Sequence, residues 1–285
     1  MSAPVTVAHE DAVAVITLNR AERRNAYTAE MGVLLSRAYR DCDDDDAVRA
    51  IVVTGAGDAF CAGADFTSET SPFDEPGQQF TASPINPAAF ELRTPVIAAV
   101  NGHAIGIGLT IALQADIRVM AHSGRYGVVQ ARRGVIGDCM SHWTLPRLTG
   151  LAVAADLLLT GRTFDAEEAV RLGIANRALP AAQVLPAARA IAADIAQNVA
   201  PLSAALSKRL LWDTVANGYT PGQVADLETR LHKRVMGGAD AREGVAAFLA
   251  RRPPRWTTGV SANWTDFSPD PVASDSSTRT AGRTS

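Results

Sequence analysis

Two glycine-bearing stretches, Phe60-Cys61-Ala62-Gly63-Ala64-Asp65 and Asn101-Gly102-His103-Ala104-Ile105-Gly106-Ile107-Gly108, each come soon after a short β-branched apolar run, residues 50–54 and 96–100. Runs of this kind mark buried strands, so each stretch sits where a strand ends and the chain must turn. Glycine there lets main chain approach a ligand and lets amides point at it. The second stretch also opens an apolar helical run, residues 109–115, which places its amides at a helix N-terminus, a favourable place for negative charge. Two backbone amides converging on one carbonyl oxygen would form an oxyanion hole. Strand, glycine turn and helix then repeat, which constrains the chain to an α/β fold with crossover helices.

The flanking segments follow the same logic. Residues 5–7 and 13–18 read as a pair of strands, and Thr28 caps a helix with Met31, Leu34, Leu35 and Ala38 at helical spacing. Asp43, Asp44, Asp45 and Asp46 read as a solvated loop, because four consecutive carboxylates cannot all face one ion. Residues 67–87 form a loop rich in Pro, Ser, Thr and Gln. Past Thr149 the strands are expected to stop. Asp165 or Thr163 caps a short helix ended by Gly173, and helices follow at about 186–197, 201–215 and 221–236. Asp240 with Glu243 reads as a capping-box start to the last helix. From Thr257 the chain reads as a tail in which Trp264 and Phe267 are candidates to dock on the body or on a neighbour.

Composition excludes several classes. With 285 residues, 47% of them apolar, the chain can fill a large core. A net charge of −3 gives no nucleic-acid footprint. No apolar run is long enough to span a bilayer and the N-terminus lacks signal-peptide regions, so a cytoplasmic protein is expected. Cys42, Cys61 and Cys139 are odd in number and form no CxxC, which indicates neither a disulfide framework nor a zinc site. Cys61 reads as a small buried filler rather than a nucleophile.

Taken together, the two glycine stretches resemble the oxyanion segments of the enoyl-CoA hydratase/isomerase (crotonase) superfamily. Leu18-Asn19-Arg20-Ala21-Glu22-Arg23-Arg24-Asn25-Ala26 resembles its N-terminal CoA-side signature, and Ala115-Asp116-Ile117-Arg118-Val119 its following strand. Thr160-Gly161-Arg162, with Ala166-Glu167-Glu168-Ala169 and Gly173-Ile174-Ala175, resembles a later helix–turn, and Glu243-Gly244-Val245-Ala246-Ala247-Phe248-Leu249 with Arg252-Pro253 the C-terminal helix. The resemblance runs from about Val5 to about Arg255. It implies a crotonase-like ββα spiral core with the acyl-CoA site at 1–200, a C-terminal helical trimerisation region at 201–256, and a tail at 257–285. It further implies an acyl-CoA substrate, with coenzyme A part of that substrate, and a homotrimer or dimer of trimers. Nothing in the sequence indicates a metal, flavin or nicotinamide, and no nucleic-acid or membrane partner is expected.

Carried over position by position, the oxyanion amides are those of Ala64 and Ile107. The two glutamates of the family's hydratases fall on Thr110 and Gln130, neither of which can donate and recover a proton near neutral pH. An acid remains at a third family position, Asp138, either as the only general base or nucleophile or as a cap on a helix starting near Cys139. His103 reads as loop packing, His142 as a packing or orienting residue one turn after Asp138, and Trp143 as core or pocket wall. The resemblance assigns CoA contacts to Arg23 or Arg24, Ala62, Asp65, Phe248 and Arg251, the last two from a helix often supplied by a neighbouring subunit. For Arg251 a solvated helix end is an equal reading. Three functions follow: double-bond isomerisation through a thioester enolate with Asp138 as shuttle, hydration or thioester hydrolysis, and non-catalytic acyl-CoA binding. Whether Asp138 faces the thioester site separates them.

Overall fold

The apolar residues of the runs at 50–54 and 96–100 alternate between the two faces of one sheet. The computed structural model describes residues 3–66 and 80–265. β1 (Val5–Glu10) and β2 (Val13–Leu18) form the expected pair, antiparallel, with Val5 opposite Leu18. Thr28 caps α1 (Ala29–Asp44), its hydroxyl accepting from the Met31 amide at 3.2 Å. Three strand pairs follow: β3 (Ala50–Gly55) and β4 (Ala59–Cys61); β5 (Val96–Val100) and β6 (His103–Ile105), the latter leading into α2 (Ile107–Ala112); and β7 (Ile117–Ala121) and β8 (Tyr126–Gly127). Then come α3 (Ser141–Thr149), α4 (Leu151–Thr160), α5 (Ala166–Arg171), β9 (Arg177–Leu179), α6 (Ala181–Asn198), α7 (Pro201–Asn217), α8 (Pro221–Met236), α9 (Ala239–Ala250) and α10 (Val260–Asn263).

Each strand pair gives one strand to each of two sheets. The larger runs β1-β2-β3-β5-β7-β9, parallel from β2 onward, and the smaller β4-β6-β8 is parallel throughout. Polar side chains hold the corners between them. The buried Asn25 amide donates to the carbonyls of Ala56 and Ala59, both at 2.8 Å. Asn101 does the same at the next corner, donating to Gly57 and accepting from the Gly55 amide. Turn carbonyls that would otherwise be buried unpaired are thereby satisfied.

The main sheet is covered on both faces, which is why its strands read as unbroken apolar runs. Ile16, Ile51, Val53 and Ala98 face Met31, Leu35 and Tyr39 of α1, while Val15, Val52, Ile97 and Val119 face Val184, Ala188, Ala192 and Ala196 of α6. The four α6 residues recur every fourth position, one stripe of a helix, and a fully buried valine among them contributes about 1.5–3 kcal/mol. Lys208 of α7 reaches into the core, its Nζ 2.8 Å from Ala89 O, Thr94 O and Asp116 Oδ2. Asp116 also accepts from the Val96 amide and from Trp212 Nε1, so one carboxylate fastens the helical half to the sheet.

Several expectations are corrected. The strands do not stop at Thr149: β9 adds a parallel edge to β7, three residues too short for alternation to show. α6 begins at Ala181, with Pro186 tolerated inside it near the start. α9 starts after Gly238 without a capping box; Asp240 Oδ1 instead accepts from the Thr257 and Thr258 amides, and Glu243 pairs with Arg252 and the Arg255 amide. The aspartate run is not simply a solvated loop. Asp43 and Asp44 end α1, Asp43 holds Arg93 and the Thr94 amide, and Asp46 accepts from the Ser261 amide. Residues 257–265 accordingly lie on the body rather than starting a tail, with the Arg93 guanidinium 6.0 Å from the Trp264 ring. Residues 67–79 of the Thr- and Pro-rich loop, and the segment from 266 that includes Phe267, lie outside the described residues.

Candidate active site

The two glycine stretches meet. β4 lies parallel to β6, and the turns leaving them are in contact: a Cβ on Gly108 would stand 2.2 Å from the Cys61 carbonyl oxygen, and one on Gly63 3.3 Å from that of Ile105. Only a glycine at 108 lets α2 approach Cys61 this closely. Gly106, the N-cap of α2, has φ of 57°, a conformation costly for residues with a side chain. Tyr27 fixes the other half. Its amide donates to Gly63 O at 2.7 Å and its carbonyl accepts from the Asp65 amide at 2.9 Å, a parallel bridge that turns the Ala64 amide away from Tyr27. Ile107 is the first residue of α2, so its amide has no intrahelical acceptor. Among the described residues neither amide donates to a backbone carbonyl.

Asp138 faces this place rather than capping α3. The N-cap of α3 is Met140, and Asp138 contributes there only its carbonyl, which accepts from the Ser141 amide at 2.9 Å. Cys139 and Met140 are both left-handed, with φ of 44° and 59°, strain of order 1–3 kcal/mol each in a turn that aims the carboxylate inward. Oδ1 lies 2.6 Å from Thr110 Oγ1. Burial pushes the Asp138 carboxyl above its ordinary range, opposed by the Thr110 hydroxyl and the neighbouring Gln130 carboxamide. That carboxamide covers Gly106, its Nε2 3.7 Å from where a Cβ would stand. The three positions at which the family resemblance places carboxylates thus converge, with one carboxylate among them.

The thiols here are inert. Burial raises Cys61 to about 11 and Cys139 to about 12, so Cys61 is the buried filler its setting suggested. His103 Nδ1 accepts from the Arg125 amide at 3.0 Å, a packing role. His142 is exposed against Gly137 and makes no hydrogen bond to Asp138. Trp143 stacks with Trp212, centroids 5.7 Å apart. An apolar groove of ≈ 320 Å³ between α3 and α4, lined by Ile136, Gly137, Leu158 and Leu159, adjoins Asp138 through Gly137. A cleft of ≈ 480 Å³ between α7, α8, α9 and Trp256 holds none of these residues.

The CoA-side residues divide into two groups. Arg24, left-handed and exposed, accepts the Ala62 amide on its carbonyl at 3.0 Å, and Asp65 pairs with Arg20 at 2.8 Å, so Arg24, Ala62 and Asp65 surround Ala64. Phe248 and Arg251 are elsewhere. They lie exposed at the end of α9, whose following segment is tied to Gln197, Arg49 and Asp46 at the opposite end of the parallel strands. Sequence reasoning missed Arg20 and Tyr27. Arg20 lies inside the quoted N-terminal motif and Tyr27 directly after it, but only their partners, sixty-odd positions into the chain, reveal what they hold.

The enoyl-CoA hydratase/isomerase family model matches residues 8–259. The chain belongs to that family. A probable enoyl-CoA hydratase/isomerase from Mycobacterium abscessus is 56% identical, superposes with a TM-score of 0.86, and is matched over 89% of this chain and 98% of that one. An enoyl-CoA hydratase from Mycobacterium tuberculosis H37Rv is 31% identical with a TM-score of 0.80, covering 90% and 99%. A 1,2-epoxyphenylacetyl-CoA isomerase of Escherichia coli (strain K12) is 35% identical over 255 residues, 87% of this chain and 96% of the relative. The paired sheets are therefore the crotonase fold, and the chain is an acyl-CoA-processing enzyme of the enoyl-CoA hydratase/isomerase family. No helix among the described residues is long and apolar enough to cross a membrane.

Proposed function

We propose that this crotonase-family enzyme shifts a double bond in an acyl-CoA by way of a thioester enolate, with Asp138 as the single proton shuttle. The observation that carries the reading is the orientation of Asp138: its carboxylate is turned inward against Thr110, beside the turn that presents the Ile107 amide. The amides of Ala64 and Ile107 hold the thioester oxygen and take up the enolate's charge, the kind of donor whose loss costs about 2.7–4 kcal/mol. Asp138 removes a proton from one carbon of the acyl chain and returns it to another. One carboxylate suffices for that exchange, whereas adding water across a double bond calls for a second acid or base, and Thr110 and Gln130 supply none. The groove beside Gly137 gives the rest of the acyl group an apolar wall.

Hydration is the second reading, favoured by the hydratase names carried by relatives such as the Mycobacterium tuberculosis protein. Deuterium exchange at the acyl α- and γ-carbons of saturated and enoyl-CoAs, followed in wild type and Asp138→Asn, tests the first. Exchange that disappears in the variant and yields isomers without hydroxyacyl product supports it; hydroxyacyl product sinks it in favour of hydration. Absence of exchange with intact bound thioester leaves a binding protein.

The CoA end is assigned to Arg24, Ala62 and Asp65 of one subunit and to Phe248 and Arg251 of a neighbour in a homotrimer or dimer of trimers. Supporting this, Leu211, Met236, Val245, Phe248 and Leu249 are exposed apolar side chains of the helical half, and α9 lies at the far end of its own strands.

A further inference from the structure

Asp240, at the second position of α9, is only 8% exposed, and its carboxylate is half used. Oδ1 accepts from the amides of Thr257 at 2.9 Å and Thr258 at 3.3 Å, both neutral donors. Oδ2 has no hydrogen-bond partner, and among the described residues no basic side chain pairs with the group. Buried carboxylates are matched by a cation or by donors on both oxygens. The N-terminus of α9 offsets only part of this charge.

The residue lines the cleft of ≈ 480 Å³ between α7, α8, α9 and Trp256, with Leu202, Val235 and Gly244 among its other walls. Gly244 follows Asp240 by one turn of α9, so the two share a face. A Cβ on Gly244 would stand 3.5 Å from the Trp256 ring, which therefore lies across α9 one turn from the carboxylate. Trp256 is itself held in place, its Nε1 donating to Gln197 O at 2.9 Å. Arg234, the one basic residue lining the cleft, is exposed and turns its guanidinium to Asn263 O. Among the described residues no further His, Cys, Asp or Glu gathers with Asp240 into a metal-binding group.

We infer that this cleft binds a small organic cation, a primary ammonium carried on an apolar body, with its charge at Asp240 and its body against Trp256 and Leu202. The ammonium donates to Oδ2 and supplies the missing counter-charge, and the neighbouring indole favours a cation over a neutral group. A hydroxyl could donate to Oδ2 but would leave the charge unmatched. The cleft shares no residue with the acyl-CoA site, so the inference stands apart from the enolate reading.

The test is calorimetry on the intact protein with 2-phenylethylammonium and with 2-phenylethanol, which carries the same body without the charge. The ammonium should bind wild type about tenfold or more tightly than the alcohol, and Asp240→Asn should bring the two within about threefold. Gly244→Leu, which keeps the carboxylate and fills the cleft, should weaken the ammonium by about tenfold or more. No measurable binding to wild type, equal affinities for the two ligands, or a preference that survives either variant overturns the inference. The wild-type comparison and Gly244→Leu decide the matter even where Asp240→Asn folds poorly. Failure here leaves deuterium exchange at the acyl carbons untouched.

Discussion

The Thr110 hydroxyl lies 2.6 Å from Asp138 Oδ1 and 3.1 Å from the carbonyl oxygen of Ile107. A hydroxyl has one hydrogen, so it cannot donate to both. With Asp138 ionised, Thr110 donates to the carboxylate. With Asp138 protonated, the carboxylic acid donates to Thr110 and the hydroxyl hydrogen turns to Ile107. Thr110 therefore serves both protonation states of a group that must alternate between them, although it cannot carry the proton away itself.

Removing that hydroxyl in Thr110→Val takes away an interaction that favours the ionised form. Exchange depends on ionised Asp138, so its rate rises with pH through the carboxyl's pKa, already raised by burial. In Thr110→Val this rising limb moves to still higher pH, and the rate at a fixed pH on that limb falls by about tenfold. A pH–rate profile that drops uniformly without moving would argue against the coupling.

Asp138→Asn separates chemistry from stability. A carboxyl whose pKa is raised in the folded state binds its proton more tightly there than when unfolded. Its stabilising contribution is present at low pH and lost as pH rises through the folded pKa, so at neutral pH the ionised group costs stability. Asp138→Asn should abolish exchange while leaving Tm at pH 7 unchanged or higher. A marked fall in Tm would mean the carboxylate is structural after all.

Gly108→Ala forces a methyl against the Cys61 carbonyl, where only 2.2 Å is available to backbone that cannot swing away. The two turns must part, costing about 1–3 kcal/mol of stability and displacing the Ile107 amide, with a fall in kcat of about 10²–10³. Thermal unfolding and turnover measured together give the two effects.

Lys208→Met leaves Asp116 without its buried cation while keeping most of the side-chain volume. Asp116 retains the Val96 amide and Trp212 Nε1, so the loss should sit near the lower end of about 3–5 kcal/mol. Urea unfolding measures it, and a change below about 1 kcal/mol would show the ion pair to be dispensable.

The β-branched runs at 50–54 and 96–100, the glycines after them and the Thr28 cap are local patterns, and each produced the element it predicted. Strand and helix periodicity, glycine turns and caps act within a few residues, so sequence alone fixes them, and with them the crotonase resemblance. The uses of polar side chains were not legible in the same way. Asp240 and Glu243 looked like a cap but clamp the returning chain, Asp43 and Asp46 looked solvated but hold Arg93 and Ser261, and β9 is too short to carry a pattern. The orientation of Asp138 belongs to the same class. Whether a carboxylate caps its own helix or reaches a threonine twenty-eight positions earlier depends on which elements pack side by side, and two left-handed residues after Asp138 turn it toward Thr110. Hydrogen bonds reach only about 3 Å, so partners distant in sequence are decided by the tertiary fold that brings them within that range.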